Sequence, residues 1–376
     1  MKSKKILIFH SSNDLYGASK IFLQILTLLK KEGHEIHVIL PINGKLDNLI
    51  HKDIYVSYFN LGVFRKKYLN PRGIFNRLVK IFKAFFFIRK YLLNNKIDLV
   101  YTNTSVIWSS GIAAKSLKIP SIYHIHEIPF GSLLYGNMSG YFINIISSKV
   151  ICVSDAVLNH WRKNISNSKL VRIYNGIEIP KFYKRKTNNN EILITNIARI
   201  TPYKGQKYLI EILKKLILKE PKFKLLIIGD VYPGNEYYLE ELNSMVINYK
   251  LTEKIHFLGF RTDISKILSY SNLFIHTPVN PDPLPTVLFE SLYSKTPTIS
   301  TNIGGSKEIL DYGNNGLLIP IDDSLKSANL IYNYSQDLEK QNLNLTNSES
   351  FLERNFSYNK FSQNILDIIN KCFHEK

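Results

Sequence analysis

A chain of 376 residues, 45% apolar and 21% charged, has enough material for two domains with separate cores, and this balance excludes a disordered or low-complexity protein. The formal net charge of +19 asks for an acidic partner such as nucleic acid, anionic lipid or a phosphorylated ligand. Zinc-finger spacing, an RNP-like aromatic motif and a cleanly signalled helix-turn-helix are absent, which sets nucleic acid aside.

The N-terminal "MKSKKILIFHSSND" is basic and then apolar, but the apolar part ends after Phe9. That is too short for a signal peptide or a membrane span, so the expected location is cytoplasmic. Cys152 and Cys372 lie in apolar surroundings without metal-ligand spacing, as in a reducing compartment with no disulfide. "KKILIF" reads as a short buried strand, an amphipathic helix follows from about Ala18 to Lys31, and "HEIHVIL" is the next strand. This βαβ opening lacks the GxGxxG of a dinucleotide-binding turn; Gly17 alone is present, as in an anion-approach loop with one permissive residue.

A strand near Ile54–Phe59 precedes a basic and aromatic segment from Arg65 to Lys96. Taken as one helix at about 100° per residue, Arg72 to Leu93 places Arg72, Lys80, Lys83 and Lys90 on one stripe. Phe75, Phe82, Phe86 and Leu93 flank that stripe, the pattern of a helix lying on an anionic membrane surface, with packing of the apolar face on the sheet beside solvated lysines as the alternative. "DLVYTN" is a strand with polar residues at its end, and a helix near Val106–Leu117 follows. "IPSIYHIHEIPFGS" then carries His124, His126 and Glu127 to the carboxyl end of a parallel strand, where open α/β sheets bind ligands. "KVICVSDAV" repeats strand and helix, with Ser154 or Asp155 as the cap. "KLVRIYNGIEIP" is a last strand, and "KFYKRKTNNNE" marks a domain boundary near residues 178–190.

The second half opens in the same way, with "EILITNIARI", "TPYKGQ" and a helix from about Tyr208 to Leu218. Arg199 and Lys204 stand at the strand end and helix start, where a guanidinium and an ammonium neutralise a diphosphate. After the strand "SNLFIH", the prolines of "TPVNPDPLP" force a turn, and Pro285 fits the first turn of a helix with Leu288, Phe289 and Leu292 on its inner face. Asp282 and Glu290, seven positions intervening, then flank a helix N-terminus whose free N–H groups, those of Thr286 and Val287 among them, suit a phosphate. Carboxylates there accept from hydroxyls, so a sugar nucleotide fits. "TPTIST" is another strand, "NIGGSKEIL" has Gly304 and Gly305 for close backbone approach with Glu308 on a first helical turn, and "NNGLLIP" turns into a strand. Beyond Asp322 the chain is helical, closing with one or two amphipathic helices.

Together, Arg199 and Lys204, the Asp282-x7-Glu290 pair, "GGSKEI" and "NGLLI", in that order, resemble the retaining glycosyltransferase family four, and the match runs through most of the chain. The resemblance implies an α/β GT-B fold, two Rossmann-like doubly wound domains facing across a cleft. It implies an acceptor-side domain at 1–180, with 357–376 crossing back, and a donor-binding domain at 190–350. It also implies that Arg199 and Lys204 bind a diphosphate, that Glu290 accepts from ribose hydroxyls and that Asp282 contacts the donor sugar. Gly17 resembles the remnant of the family's glycine-rich loop, and His126 the histidine near the reacting centre. Where the family usually has glutamate and Pro-Phe-Gly, this chain has Asp282, Pro283, Leu284 and Pro285, and Tyr16 replaces a common second glycine.

The expected reaction transfers a sugar from a UDP- or GDP-sugar to a hydroxyl acceptor, a saccharide or lipid-linked saccharide, with retention of configuration. No DxD-like pair lies beside the phosphate loops, so no metal and no cofactor beyond the donor substrate is expected. The competing readings are a GT-B sugar-nucleotide epimerase and a catalytically silent nucleotide-sugar-binding scaffold.

Overall fold

The computed structural model describes residues 3–14, 17–177, 183–186, 190–231 and 234–374. The chain divides into two compact units, Met1–Gly176 with Tyr358–Lys376, and Ile177–Ser357. Tyr16 and parts of the 178–190 stretch expected to hold the boundary lie outside the described residues.

The first unit begins with β1 (Lys5–Phe9), α1 (Gly17–Lys31), β2 (Glu35–Leu40), β3 (Tyr55–Tyr58) and α2 (Pro71–Asn95). It continues with β4 (Leu99–Thr102), α3 (Ser109–Ser116), β5 (Ser121–Ile125), α4 (Leu133–Ile146), β6 (Lys149–Cys152), α5 (Asp155–Trp161) and β7 (Leu170–Arg172). All strands pair in parallel, in the order β3-β2-β1-β4-β5-β6-β7. Helices cover both faces of such a sheet, so its central strands are apolar on both sides, as Ile6, Leu7, Ile8 and Phe9 are.

Local chemistry sets the helix ends. Asn70 caps α2, accepting from the Gly73 N–H at 2.8 Å, and Pro71 takes the first helical position, where its missing N–H is harmless. Of the two candidates at α5, Ser154 is the cap, accepting from the Val157 N–H at 3.1 Å. α3 starts later than the apolar pattern predicts, because Val106 and Ile107 are buried ahead of it in an irregular segment. α2 turns Ile81, Ala84, Ile88 and Leu92 to the core, whereas Phe75, Leu78, Phe82, Phe86 and Leu93 are exposed.

The second unit runs β8 (Ile192–Ile197), α6 (Gln206–Lys219), β9 (Phe223–Ile228), α7 (Glu236–Asn248), β10 (Ile255–Phe257), α8 (Ile264–Tyr270) and β11 (Leu273–His276). Then follow α9 (Thr286–Tyr293), β12 (Thr298–Thr301), α10 (Ser306–Ile309), β13 (Leu317–Ile319), α11 (Ser324–Gln336) and α12 (Leu338–Phe356). Its sheet is also parallel, in the order β10-β9-β8-β11-β12-β13. Pro285 sits one position earlier than predicted, as the N-cap of α9 with φ −70° and ψ 106°, and not inside its first turn.

The last helix, α13 (Tyr358–His374), returns to the first unit. Phe361, Ile365, Ile369 and Cys372 join the cluster formed by α1 and the strands β1 and β2, and a Cβ at Gly176 would stand 2.7 Å from the Phe361 side chain. Phe361→Ala therefore removes a keystone of the first unit and is expected to destabilise it by about 3–5 kcal/mol. Hydrogen exchange should show faster opening in α1 and β1; unchanged protection there would contradict this packing.

Candidate functional site

In the second sheet the chain leaves β8 towards β9 and β10, and leaves β11 towards β12 and β13. The two crossovers diverge, and a crevice forms outside the carboxyl ends of β8 and β11, the switch point where such sheets hold ligands. The loop after β8 carries Arg199, then a 3-10 turn over Pro202–Lys204, then Gly205. Gly205 has φ 72°, and a Cβ there would stand 1.8 Å from the Thr277 carbonyl oxygen, so only glycine fits. The Gly205 carbonyl in turn accepts from Thr277 Oγ1 at 3.1 Å, which ties the loops after β8 and β11 together.

This tie brings Lys204 onto Asp282 in a largely buried ion pair, with the two side chains 16% and 14% exposed. His276, at the end of β11, places Nε2 3.5 Å from the same carboxylate oxygen. Burial alone would raise the Asp282 pKa, but the Lys204 charge and the His276 contact outweigh it and hold the carboxyl well below the usual range. Burial lowers His276 against the pull of Asp282, which leaves its ring neutral.

Gly304 lies beneath this loop at φ 60°, where a Cβ would be 2.4 Å from the Asp282 carbonyl oxygen, and the Gly305 N–H donates to that oxygen at 2.8 Å. The close backbone approach expected at these glycines is thus made by the chain's own Asp282 loop. Thr286 and Val287 open α9, whose first N–H groups have no partner within the helix. Glu290 is half-buried one turn further on, while Leu288, Phe289 and Leu292 are buried. Arg199 is half-buried two residues past β8, and its carbonyl accepts from Gln206 Nε2 at 3.0 Å. Arg199, Lys204, Asp282, Thr286, Val287 and Glu290 therefore all belong to the segments that follow β8 and β11.

His126 and Gly17 belong to the first unit, whose switch point lies between β1 and β4. Gly17 starts α1, and a Cβ there would meet nothing within 4 Å, so packing does not demand a glycine. His124 is buried, with Nδ1 2.8 Å from the Tyr101 hydroxyl. His126, immediately past β5, is only partly buried and bonds through Nε2 to Asn103 Oδ1 at 2.9 Å. Glu127 accepts from the Thr104 hydroxyl and from the Ser105 N–H at 3.2 Å; burial pushes its carboxyl up in spite of these bonds. Sequence reasoning did not single out His10 and Asn103, which immediately follow β1 and β4 and contact each other at 3.2 Å. The polar ends of "LIFH" and "VYTN" are the available signal, but pairing them requires the strand order.

Removing one partner of the Lys204–Asp282 pair leaves an uncompensated charge. Asp282→Asn is expected to lower stability by about 3 kcal/mol, and the Lys204→Met, Asp282→Leu double variant to recover at least half of that. Because the folded pKa of Asp282 is depressed, the pair contributes fully above about pH 4 and fades as pH falls through the lower folded value. Urea midpoints at pH 7 and pH 3 check both statements.

Two family descriptions match this chain. "Glycosyltransferase Family 4" matches residues 16–180, and "Glycosyl transferases group 1" matches residues 179–346. UDP-Gal:alpha-D-GlcNAc-diphosphoundecaprenol alpha-1,3-galactosyltransferase of Escherichia coli is 25% identical over 352 residues, 86% of either chain. Spore coat protein SA of Bacillus subtilis is 22% identical over 74% of this chain and 80% of its own. HepE of Anabaena, solved in complex with UDP and glucose, superposes with a TM-score of 0.79 at 23% identity, over 98% of this chain and 100% of that one. A glycosyltransferase of Rickettsia africae gives 0.82 at 21% identity over 100% of both chains. The structural likeness establishes the GT-B fold of two Rossmann-like units, and the family matches cover both of them. This chain belongs to the glycosyltransferases of family four, with a group 1 C-terminal domain.

Proposed function

We propose that this glycosyltransferase moves a hexose from a UDP-sugar to a hydroxyl of a lipid-linked saccharide, on the cytoplasmic face of a membrane, with retention of configuration and without a metal ion. The observation that carries the reading is the second unit's switch point, where Arg199, Lys204 paired with Asp282, and the N-terminus of α9 share the segments after β8 and β11 with the half-buried Glu290. A nucleoside diphosphate needs cations at its leaving oxygens and an acceptor for its ribose hydroxyls, and these groups supply both.

In this reaction the bond from the anomeric carbon to the diphosphate oxygen breaks with its electron pair, leaving UDP. The acceptor oxygen bonds to the same face of that carbon, and its proton passes to the departing phosphate. The transition state carries positive charge on the sugar and growing negative charge on the diphosphate, so Arg199 and Lys204 stabilise it more than the ground state. Asp282 holds Lys204 in place before the donor arrives. The named activity of the E. coli relative, transfer from UDP-Gal to a diphosphoundecaprenol-linked sugar, supports the choice of donor and acceptor class.

Docking on anionic lipid is supported by α2. No Asp or Glu occurs between Asp53 and Asp98, and Phe75, Leu78, Phe82, Phe86 and Leu93 form an exposed stripe within an arc of about 80°. Arg72, Lys80, Lys83 and Lys90 flank it on the side away from the core, and Lys80 and Lys83 line a hollow of about 350 Å³ with Phe59, Asn60, Asn76 and Val79. α4 adds exposed Leu133 and Leu134. Among the described residues no helix is long and apolar enough to cross a membrane, so contact through these helices would be interfacial.

The transfer is tested by acceptor-dependent release of UDP from UDP-hexoses. Lys204→Ala and Glu290→Ala should each lower the rate about 10²–10³-fold in folded protein, and excess EDTA should leave the wild-type rate unchanged. Near-normal turnover in either variant, or loss with EDTA that magnesium or manganese restores, would contradict the assignment. Docking is tested by sedimentation with vesicles: the wild type should pellet with anionic and not with neutral lipid, and the Lys80→Glu, Lys83→Glu, Lys90→Glu variant should stay in solution. Equal pelleting of both proteins would rule the surface out.

A further inference from the structure

The carboxyl ends of β1, β4 and β5 hold a hydrogen-bond chain whose direction can be worked out from its fixed points. At one end Ser19 Oγ donates to Asp14 Oδ1 at 2.8 Å, since a carboxylate only accepts. With its proton committed, the Ser19 oxygen 3.0 Å from His10 Nε2 must accept, so His10 carries its proton on Nε2. His10 Nδ1 is then a lone pair, and Asn103 Nδ2 donates to it at 3.2 Å. The reverse tautomer would aim an Nδ1–H at that amide and set two lone pairs against each other at Ser19; the longer 3.4 Å contacts of Nδ1 with the Asn103 carbonyl and of Nε2 with the Ser12 hydroxyl do not offset this.

A second fixed point confirms the amide's orientation. Asn103 Nδ2 also lies 3.1 Å from the Ala18 carbonyl oxygen, which can only accept, so the NH2 group faces Ala18 and His10. Asn103 Oδ1 is left facing His126 Nε2 at 2.9 Å and can only accept there. His126 therefore bears its proton on Nε2, and its Nδ1 keeps a lone pair for which no protein partner is recorded among the described residues.

We propose that Asn103 is a positioning residue that locks His126 in the neutral Nε2–H tautomer, so that His126 Nδ1 accepts a hydrogen bond from a hydroxyl of the saccharide substrate. The proposal rests on the transferase reading above. The surroundings of the ring agree with it: burial first, then the neighbouring His124 and His10, hold His126 well below the ordinary histidine range, and burial lowers His10 to about 4. The groups facing His126 are His124, at 4.3 Å between ring centroids, Asn103, with His10 and Asp14 behind it, and Glu127, whose carboxylate accepts from the backbone N–H of His126 at 3.2 Å. A neutral ring with a fixed lone pair suits a sugar hydroxyl, which must donate, better than an imidazolium, which cannot accept.

The test reads the tautomer directly. In the full-length protein labelled with 15N-histidine, with His126 assigned by comparison with His126→Gln, the wild type should show the Nε2–H tautomer and no protonation from pH 8 to pH 5.5. A protonated Nδ1, or titration near pH 6.5, would overturn the proposal, and this measurement needs no substrate and, beyond the assignment, no variant. Asn103→Asp places a carboxylate against Nε2 and should raise the His126 pKa. Protonation occupies Nδ1, so transfer by this variant should fall at least tenfold as pH drops through the raised value, while the wild-type rate stays flat. A pH-independent Asn103→Asp enzyme would also overturn the proposal. Failure of the transferase reading would appear instead as absent acceptor-dependent UDP release in the wild type, with the tautomer signal intact.

Discussion

In both units every pairing is parallel, and that constraint decides where chemistry can occur. A parallel strand cannot be joined to its neighbour by a tight turn, so each is followed by a crossover, and all crossovers leave from one edge of the sheet. Crossovers that leave side by side in the same direction fill that edge. Where the order reverses, between β1 and β4 and between β8 and β11, they part and leave space. His10, Asn103 and His126 stand at or beside the first opening, and Arg199, Lys204 and Asp282 at the second. The contact of Gly205 with Thr277 shows how tightly the two sides of an opening are joined before any ligand is present.

The two openings carry opposite electrostatics. At β8 and β11 an ion pair sits under cover, and Asp282 stays a carboxylate because the Lys204 ammonium lies against it. At β1, β4 and β5 the titratable groups are driven towards neutrality: His10, His124 and His126 are all lowered and Glu127 is raised, in each case chiefly by burial. A charged cradle suits a diphosphate, whereas a neutral, directional network suits hydroxyls, which are recognised by who donates and who accepts. This difference is in keeping with the donor-binding and acceptor-side roles that the family resemblance implies for the two units.

Much of the fold is legible in the sequence because buried parallel strands are continuous apolar runs, such as "ILIF" and "NLFIH", and because Asn70–Pro71 and Ser154 announce helix starts. The Asp282 and Glu290 spacing survives because both positions are counted from one strand end and one helix start. The Lys204–Asp282 pair and the Asn103 network were not legible. Each joins segments that are distant in sequence, 78 residues apart for the pair and 93 for His10 and Asn103, and depends on strand order, which periodicity does not report. Pro285 misled by one position because an N-cap and a first-turn proline share the same φ.

The α2 helix is the hardest case for a sequence, since it has two apolar arcs and only one can face the core. The structure selects Ile81, Ala84, Ile88 and Leu92, small or branched side chains that nest on the sheet, packs Phe85 and Phe87 partly against that core, and leaves Phe75, Phe82 and Phe86 exposed. Aromatics more than half exposed bury little in the folded unit, so they contribute little stability to it and enlarge an apolar patch of the kind that soluble monomers avoid. The charge on this stretch points the same way. Residues 54–154 hold thirteen Lys and Arg against Asp98 and Glu127, so +11 of the net +19 is concentrated in about a quarter of the chain. Concentrated positive charge by itself would serve RNA, DNA or lipid equally well. Beside a continuous exposed stripe of Phe and Leu, which a polyanion cannot bury and an acyl boundary can, it favours a lipid surface.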